Sequence, residues 1–244
     1  MDREQLAKWE EQVRLALALA ERADEQGMAE VMQASHSRGG GLGHGLVPML
    51  LRAMQAEGLY EEDLVERLLD LGPGWTGNRE ESLQLRALLL GEPPEEIAPS
   101  ERLQWRYRVI RNFLQRRTQR KPLILVLEDC QWGADALAFA KFMLDSSSAP
   151  ILFVCCWTEA PAASNRLEQE LIEEILKHSQ TKILSLSPLK AEVIESLIGH
   201  FLTLDQQTLS ELSQRSGGIP LFAVELLRDW ARRGWLKTGE TGFL

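Results

Sequence analysis

Apolar and polar positions along this chain recur with two different periods, and the switches between them mark its elements. From 3 to about 24, Leu6, Trp9, Val13, Ala16 and Ala20 are spaced three or four apart without Gly or Pro, and Leu17 widens the stripe. That period predicts a long amphipathic helix ended by Gly27, packed within the chain because the stripe is too short for a sustained coiled-coil seam. Segment 29–35 predicts a short strand. Helices follow over about 47–56, 61–71 and 79–90, separated by Gly72-Pro73-Gly74 and Gly91-Glu92-Pro93-Pro94. A fourth begins at a Ser100 cap and runs through Leu103, Tyr107, Ile110 and Leu114 toward Arg120. Arg116, Arg117, Arg120 and Lys121 close it, where positive charge complements the helix dipole.

The pattern then changes to uninterrupted apolar runs. Leu123-Ile124-Leu125-Val126-Leu127, with Pro122 before it and acids after it, predicts a strand buried on both faces, as in the middle of a parallel sheet. Segment 134–144 predicts a helix, 150–157 a second buried strand, 166–178 a helix and 182–186 a short strand. This alternation implies a mostly parallel α/β sheet of about four strands with flanking helices. At Ser187-Pro188-Leu189 the composition shifts. Beyond it come three helices, one capped by Asp205, and a short hairpin after Trp235: a small helical, winged-helix-like domain over 187–244, following an α/β core over 1–186.

Glu128 and Asp129 fall at the carboxyl end of the most apolar strand, where open α/β sheets place ligands. Two acids there can hold Mg²⁺ and orient a water; a solvated turn ending a core strand accounts for them equally well. The glycine-rich loop 37–45 follows a strand and precedes a helix, yet it lacks the Lys-Ser or Lys-Thr ending of a phosphate-binding loop. A flexible surface loop is the expectation there, with Arg38 as its firm cation.

Charge and composition narrow the classes. Hydrophobic residues make up 44% of the 244 and charged ones 26%, which supports a sizeable core rather than disorder. A net charge of −9 opposes general attraction to nucleic acid or anionic membrane. No apolar run is long enough to span a bilayer and the first residues lack a signal core, so a cytoplasmic protein is expected. Cys130, Cys155 and Cys156 read as buried reduced thiols. His36, His44, His178 and His200 show no metal-ligand spacing.

Three anchors in order, LILVLEDCQW, ILFVCCWTEA and LSPL followed by SGGIPLFAVELL, resemble the AAA-like ATPase domain of the STAND class of signal-transduction NTPases. The resemblance implies a P-loop NTPase-like fold with ATP and Mg²⁺ as cofactors. Glu128 and Asp129 match its Walker B pair, which holds Mg²⁺ and polarises water. Gly218 and Pro220 match the lid motif that contacts the base. Thr158 stands where the family often has an Arg at the end of the sensor strand. No Gly-x-x-x-x-Gly-Lys-Ser/Thr occurs in the 244 residues, so the first, P-loop strand is missing from the pattern.

That loop contributes charge-assisted hydrogen bonds of about 1.5–3 kcal/mol each. Without about four of them, roughly 6 kcal/mol and four powers of ten in affinity are lost. The expectation is a signalling ATPase-family module with weak or no ATP hydrolysis alone. The alternative is a nucleotide-independent interaction module on a degenerate ATPase fold. A DNA-binding regulator using Arg228, Arg232, Arg233 and Lys237 is a third reading, and a solvated helix end explains those residues. In the family's sheet the P-loop strand lies beside the sensor strand. Its absence leads to the expectation that 182–186 pairs with 151–156, or that a protein partner or second copy fills the edge.

Overall fold

The computed structural model describes residues 18, 20–40, 43–146, 148–158, 166–185, 187–200 and 202–236. They fall into two compact units, one within Ala16–Lys182 and one holding the described residues from Ile183 onward. In the first, the end of a helix (α1, 20–25) turns at Gly27, whose φ of +65° suits a residue without a side chain. The remainder of the helix expected over 3–24 lies, apart from residues 18 and 20, outside the described residues.

Three parallel strands form the sheet: β1 (Glu30–Ala34), β2 (Leu123–Leu127) and β3 (Ile151–Cys155), in the order β1-β2-β3. The register is regular, with Ala34 opposite Leu127 and Leu127 opposite Cys155. All five residues of β2 are buried, as its unbroken apolar run predicts. The long connection from β1 to β2 carries α2 (Leu46–Ala53), α3 (Glu61–Leu71), the single turn α4 (Pro73–Thr76), α5 (Arg79–Leu90) and α6 (Arg102–Arg117). Helix α7 (Ala134–Ser146) joins β2 to β3, and α8 (Arg166–Leu176) follows. Leu46, Leu50, Ile110, Leu114, Leu137 and Phe139 form the centre of the main core with β2.

Three expectations need correction. The sheet has three strands among the described residues, not four: 181–185 is without regular structure, and Ile183 and Leu184 are 58% and 75% exposed. A short run such as Lys-Ile-Leu-Ser becomes a strand only where a partner backbone and apolar neighbours receive it. Strand β3 is not buried as expected. Among the described residues it is the edge of the sheet, and its Leu152 is 53% exposed. Ser100 does not cap α6; it lies in a 3₁₀ turn (Pro99–Glu101) that leads into the helix. The hairpin after Trp235 falls outside the described residues.

The basic end of α6 has a tertiary role besides the expected dipolar one. Buried Arg117 forks onto Glu30 of β1, with Nε and Nη2 at 3.0 and 2.8 Å from the two carboxylate oxygens. Its guanidinium also lies 3.6 Å from the centroid of Trp75. Arg116 pairs with Glu81, which in turn completes a capping box with Asn78 at the start of α5. One helix end thus ties together β1, α4 and α5.

The second unit packs α9 (Ala191–Gly199), α10 (Gln206–Ser216) and α11 (Pro220–Arg232) around Ile194, Ile198, Leu212, Ala223 and Trp230. Asp205 caps α10 as expected, accepting from the N–H groups of Gln207 and Thr208. Arg228 and Arg233 are paired with Glu225 and Asp229 of their own helix.

Breaking the Arg117 fork leaves a poorly hydrated carboxylate, so Arg117→Met is expected to cost about 3 kcal/mol or more in urea unfolding. The double change Arg117→Met with Glu30→Met is expected to recover most of that loss, since a matched apolar pair leaves no orphaned charge. Equal midpoints for the single variant and the parent would show that the fork contributes nothing.

Candidate functional site

The carboxyl ends of β1 and β2 bring together groups that are some ninety residues apart in sequence. The ladder continues one step past the strands: Glu128 N–H donates to the Ala34 carbonyl at 2.8 Å, and Cys156 N–H to the Leu127 carbonyl at 2.8 Å. This extension fixes the Glu128 backbone. Its side chain is then held by Ser35, whose Oγ donates to Oε2 at 2.6 Å. His36 Nδ1–H donates to the Glu128 carbonyl at 2.7 Å, which leaves Nε2 as the acceptor nitrogen. Nε2 is buried and has no hydrogen-bond partner among the described residues. Burial holds the His36 pKa below its ordinary value, so the ring is neutral at pH 7.

Asp129 sits where the chain must leave the strand sharply. Its φ of 57° is left-handed, a conformation that Asp tolerates better than most residues. The next three residues, Cys130–Trp132, form a 3₁₀ turn, and Cys130 N–H anchors it to the Cys156 carbonyl at 2.9 Å. Gln131 Nε2 donates to Asp129 Oδ1 at 2.8 Å, while its own Oε1 accepts from Thr158 N–H at 3.3 Å. Burial pushes the Asp129 carboxyl up to about 6, with the nearby Glu128 charge adding to the rise and the Gln131 hydrogen bond opposing it. Gly133 is required by the same packing: a Cβ there would stand 2.8 Å from the His36 ring.

Two adjacent carboxylates at one strand end, one of them raised by burial and by its neighbour, form a site that a cation would relieve. Among the described residues no group of three His, Cys, Asp or Glu side chains could enclose a metal. Two carboxylates are fewer ligands than a metal caged wholly by protein takes.

The lid-like residues belong to the other unit and have a complete structural role there. Gly217 is the left-handed end of α10. Gly218 has φ +79°, and a Cβ on it would collide with the Leu189 carbonyl and Pro188. Its own carbonyl accepts from Leu189 N–H at 2.7 Å. Pro220 opens α11 at the first helical position, where its missing N–H costs nothing.

Sequence reasoning missed Ser35, His36 and Gln131. The rule that singles out Glu128 and Asp129, position at the carboxyl end of a parallel strand, applies equally to Ser35 and His36, whereas metal-ligand spacing carries no signal for either. Loop 37–45 is tied down in its described part. Gly45 N–H returns to the Ser35 carbonyl at 3.0 Å, and Arg52 donates to the carbonyls of Gln33 and Gly43. Arg38 lies 5.7 Å from the Trp132 ring centroid rather than free. No family model, curated protein or solved structure matches the chain.

A carboxyl whose folded pKa is near 6, against 3.8 for the free group, favours the fold when protonated. That contribution is complete below pH 3.8 and is lost as pH rises toward and through 6. Asp129→Asn keeps the left-handed turn and the Gln131 contact without the charge. The variant is expected to be more stable than the parent at pH 7 by on the order of 1 kcal/mol, the shift being discounted for half exposure. The gain should vanish by about pH 4. Thermal unfolding across that range in magnesium-free buffer measures it, and a gain independent of pH would refute the electrostatic origin. Gly218→Ala is expected to lower the melting temperature with or without nucleotide, because the clash is with backbone.

Proposed function

We propose that this chain is a signalling module of the STAND, AAA-like ATPase kind, with Glu128 and Asp129 as the Walker B-type pair that holds Mg²⁺ and polarises water. The observation that carries this reading is the placement of Glu128 at the end of the fully buried central strand, locked by Ser35 and followed by Asp129 in a left-handed turn. A parallel sheet with acids at the carboxyl end of its middle strand is the setting in which a metal-bound phosphate is met. The cation supplies charge neutralisation for the phosphate oxygens. The chain itself supplies orientation, through the Ser35 and Gln131 hydrogen bonds that fix the two carboxylates.

Under this proposal Gly218 and Pro220 line the base in the resemblance's lid. Their backbone roles in the second unit exist without any ligand, so they support the reading only by position in sequence. Because the 244 residues hold no Walker A loop, binding by this chain alone is weak and turnover is minimal. A nucleotide-independent interaction role on the same fold is the second reading. The open edge of β3 favours it: a groove of about 500 Å³ runs beside that strand, lined by Met143, Phe153, Trp157 and Ile175 among others. Under that reading a protein partner or a second copy occupies the edge.

Calorimetric titration separates the two. The ATPase reading expects Mg²⁺-dependent ATP binding in the millimolar range, about −4 kcal/mol, that disappears in Glu128→Gln with Asp129→Asn. Binding unaffected by that double change, or no heat with ATP and Mg²⁺ at concentrations well above 1 mM, would overturn it.

A further inference from the structure

We infer that Cys130 and Cys155 form a reversible disulfide when the chain meets a hydroperoxide, and that the bridge ties the turn carrying Asp129 to β3. Three thiols converge on one end of the sheet because β2 and β3 are in parallel register. Cys155 closes β3 opposite Leu127, and Cys130 stands three residues beyond Leu127 on the turn. That turn folds back onto β3, with Cys130 N–H on the Cys156 carbonyl at 2.9 Å and Cys130 Sγ 3.2 Å from the Leu127 carbonyl. Cys155 packs against the buried cluster that contains Cys130.

Access sets the order of events. Cys155 is half-buried and lines the groove beside β3, whereas Cys130 is fully buried and Cys156 nearly so. Burial pushes the Cys156 thiol up to about 12, and the neighbouring Cys155 together with burial raises the Cys130 thiol well above its ordinary value, so neither of these two is the first thiol to react. Successive residues of an extended strand point to opposite faces, so Cys155 and Cys156 diverge, and Cys155 faces the core cluster that holds Cys130.

The chemistry proceeds in two balanced steps. Cys155 sulfur attacks one oxygen of the hydroperoxide; the O–O bond breaks, an S–O bond forms, and the departing oxygen leaves as water or alcohol with the thiol proton. Cys130 sulfur then attacks the sulfenic sulfur; the S–S bond forms, the S–O bond breaks, and hydroxide leaves as water with the Cys130 proton. Both sulfurs are oxidised, and the hydroperoxide is the oxidant, reduced by those two electrons and consumed once per bridge. Neither step uses nucleotide, so the inference is independent of the function proposed above.

The test treats the full chain with hydrogen peroxide, blocks remaining thiols by alkylation, and digests with trypsin without reductant. The expected product is a linked pair of peptides 121–141 and 142–166, two hydrogens lighter than their sum and separated by dithiothreitol. It should persist in Cys156→Ser and be lost in Cys155→Ser. If Cys155→Ser does not fold, the fragment spectrum of the parent pair assigns the bridge to Cys155 or Cys156. A bridge confined to peptide 142–166, a bridge between chains, or Cys155 driven to sulfinic acid beside an alkylated Cys130 would each overturn the inference.

Discussion

Water cannot reach the backbone of β2, and much of the first unit follows from that exclusion. Each N–H and C=O of 123–127 must be paired within the protein, because an unmet buried polar group costs more than an ordinary hydrogen bond contributes. Strands β1 and β3 meet this demand in regular parallel register. Parallel pairing in turn requires long crossovers, so helices α2 to α6 and α7 lie between strands and supply the core around Leu50, Ile110 and Phe139.

The same constraint makes the candidate site. Burial persists for one residue beyond the last paired strand position, which places the Glu128 carboxylate in poorly hydrated surroundings and makes the Ser35 hydroxyl its partner. The chain must then turn away at once, and Asp129 takes a left-handed conformation that costs on the order of 1 kcal/mol. Strain, a raised carboxyl and a buried neutral imidazole with one unpartnered nitrogen are gathered at the carboxyl ends of β1 and β2. Such concentration is more common where a ligand is met than in a plain strand end.

Far from those acids, Arg117 performs a different task. Its fork onto Glu30 and its contact with Trp75 pin the beginning of β1 against the end of α6. The carboxyl end of β1, which delivers Ser35 and His36, is thereby held by a strand anchored at its other end. A long insertion between two neighbouring strands needs such a fastening, since the sheet hydrogen bonds alone do not determine where the intervening helices lie.

Apolar periodicity determined the three strands, most helices and the location of Glu128 and Asp129 by itself, because burial on two faces or one stripe leaves a local imprint in residue type. The glycines and proline around 217–220 were also legible as a break, though their backbone role at Leu189 was not. What the chain order could not carry were partnerships across distance. Ser35 with Glu128, His36 with Gly133, Arg117 with Glu30 and Cys130 with Cys156 each join positions that only the sheet register and the fold-back of a turn bring together. The fourth strand failed for the same reason: the tendency of 182–186 to extend is local, but a strand exists only when a neighbouring backbone accepts its hydrogen bonds. That acceptance is a property of the tertiary structure alone.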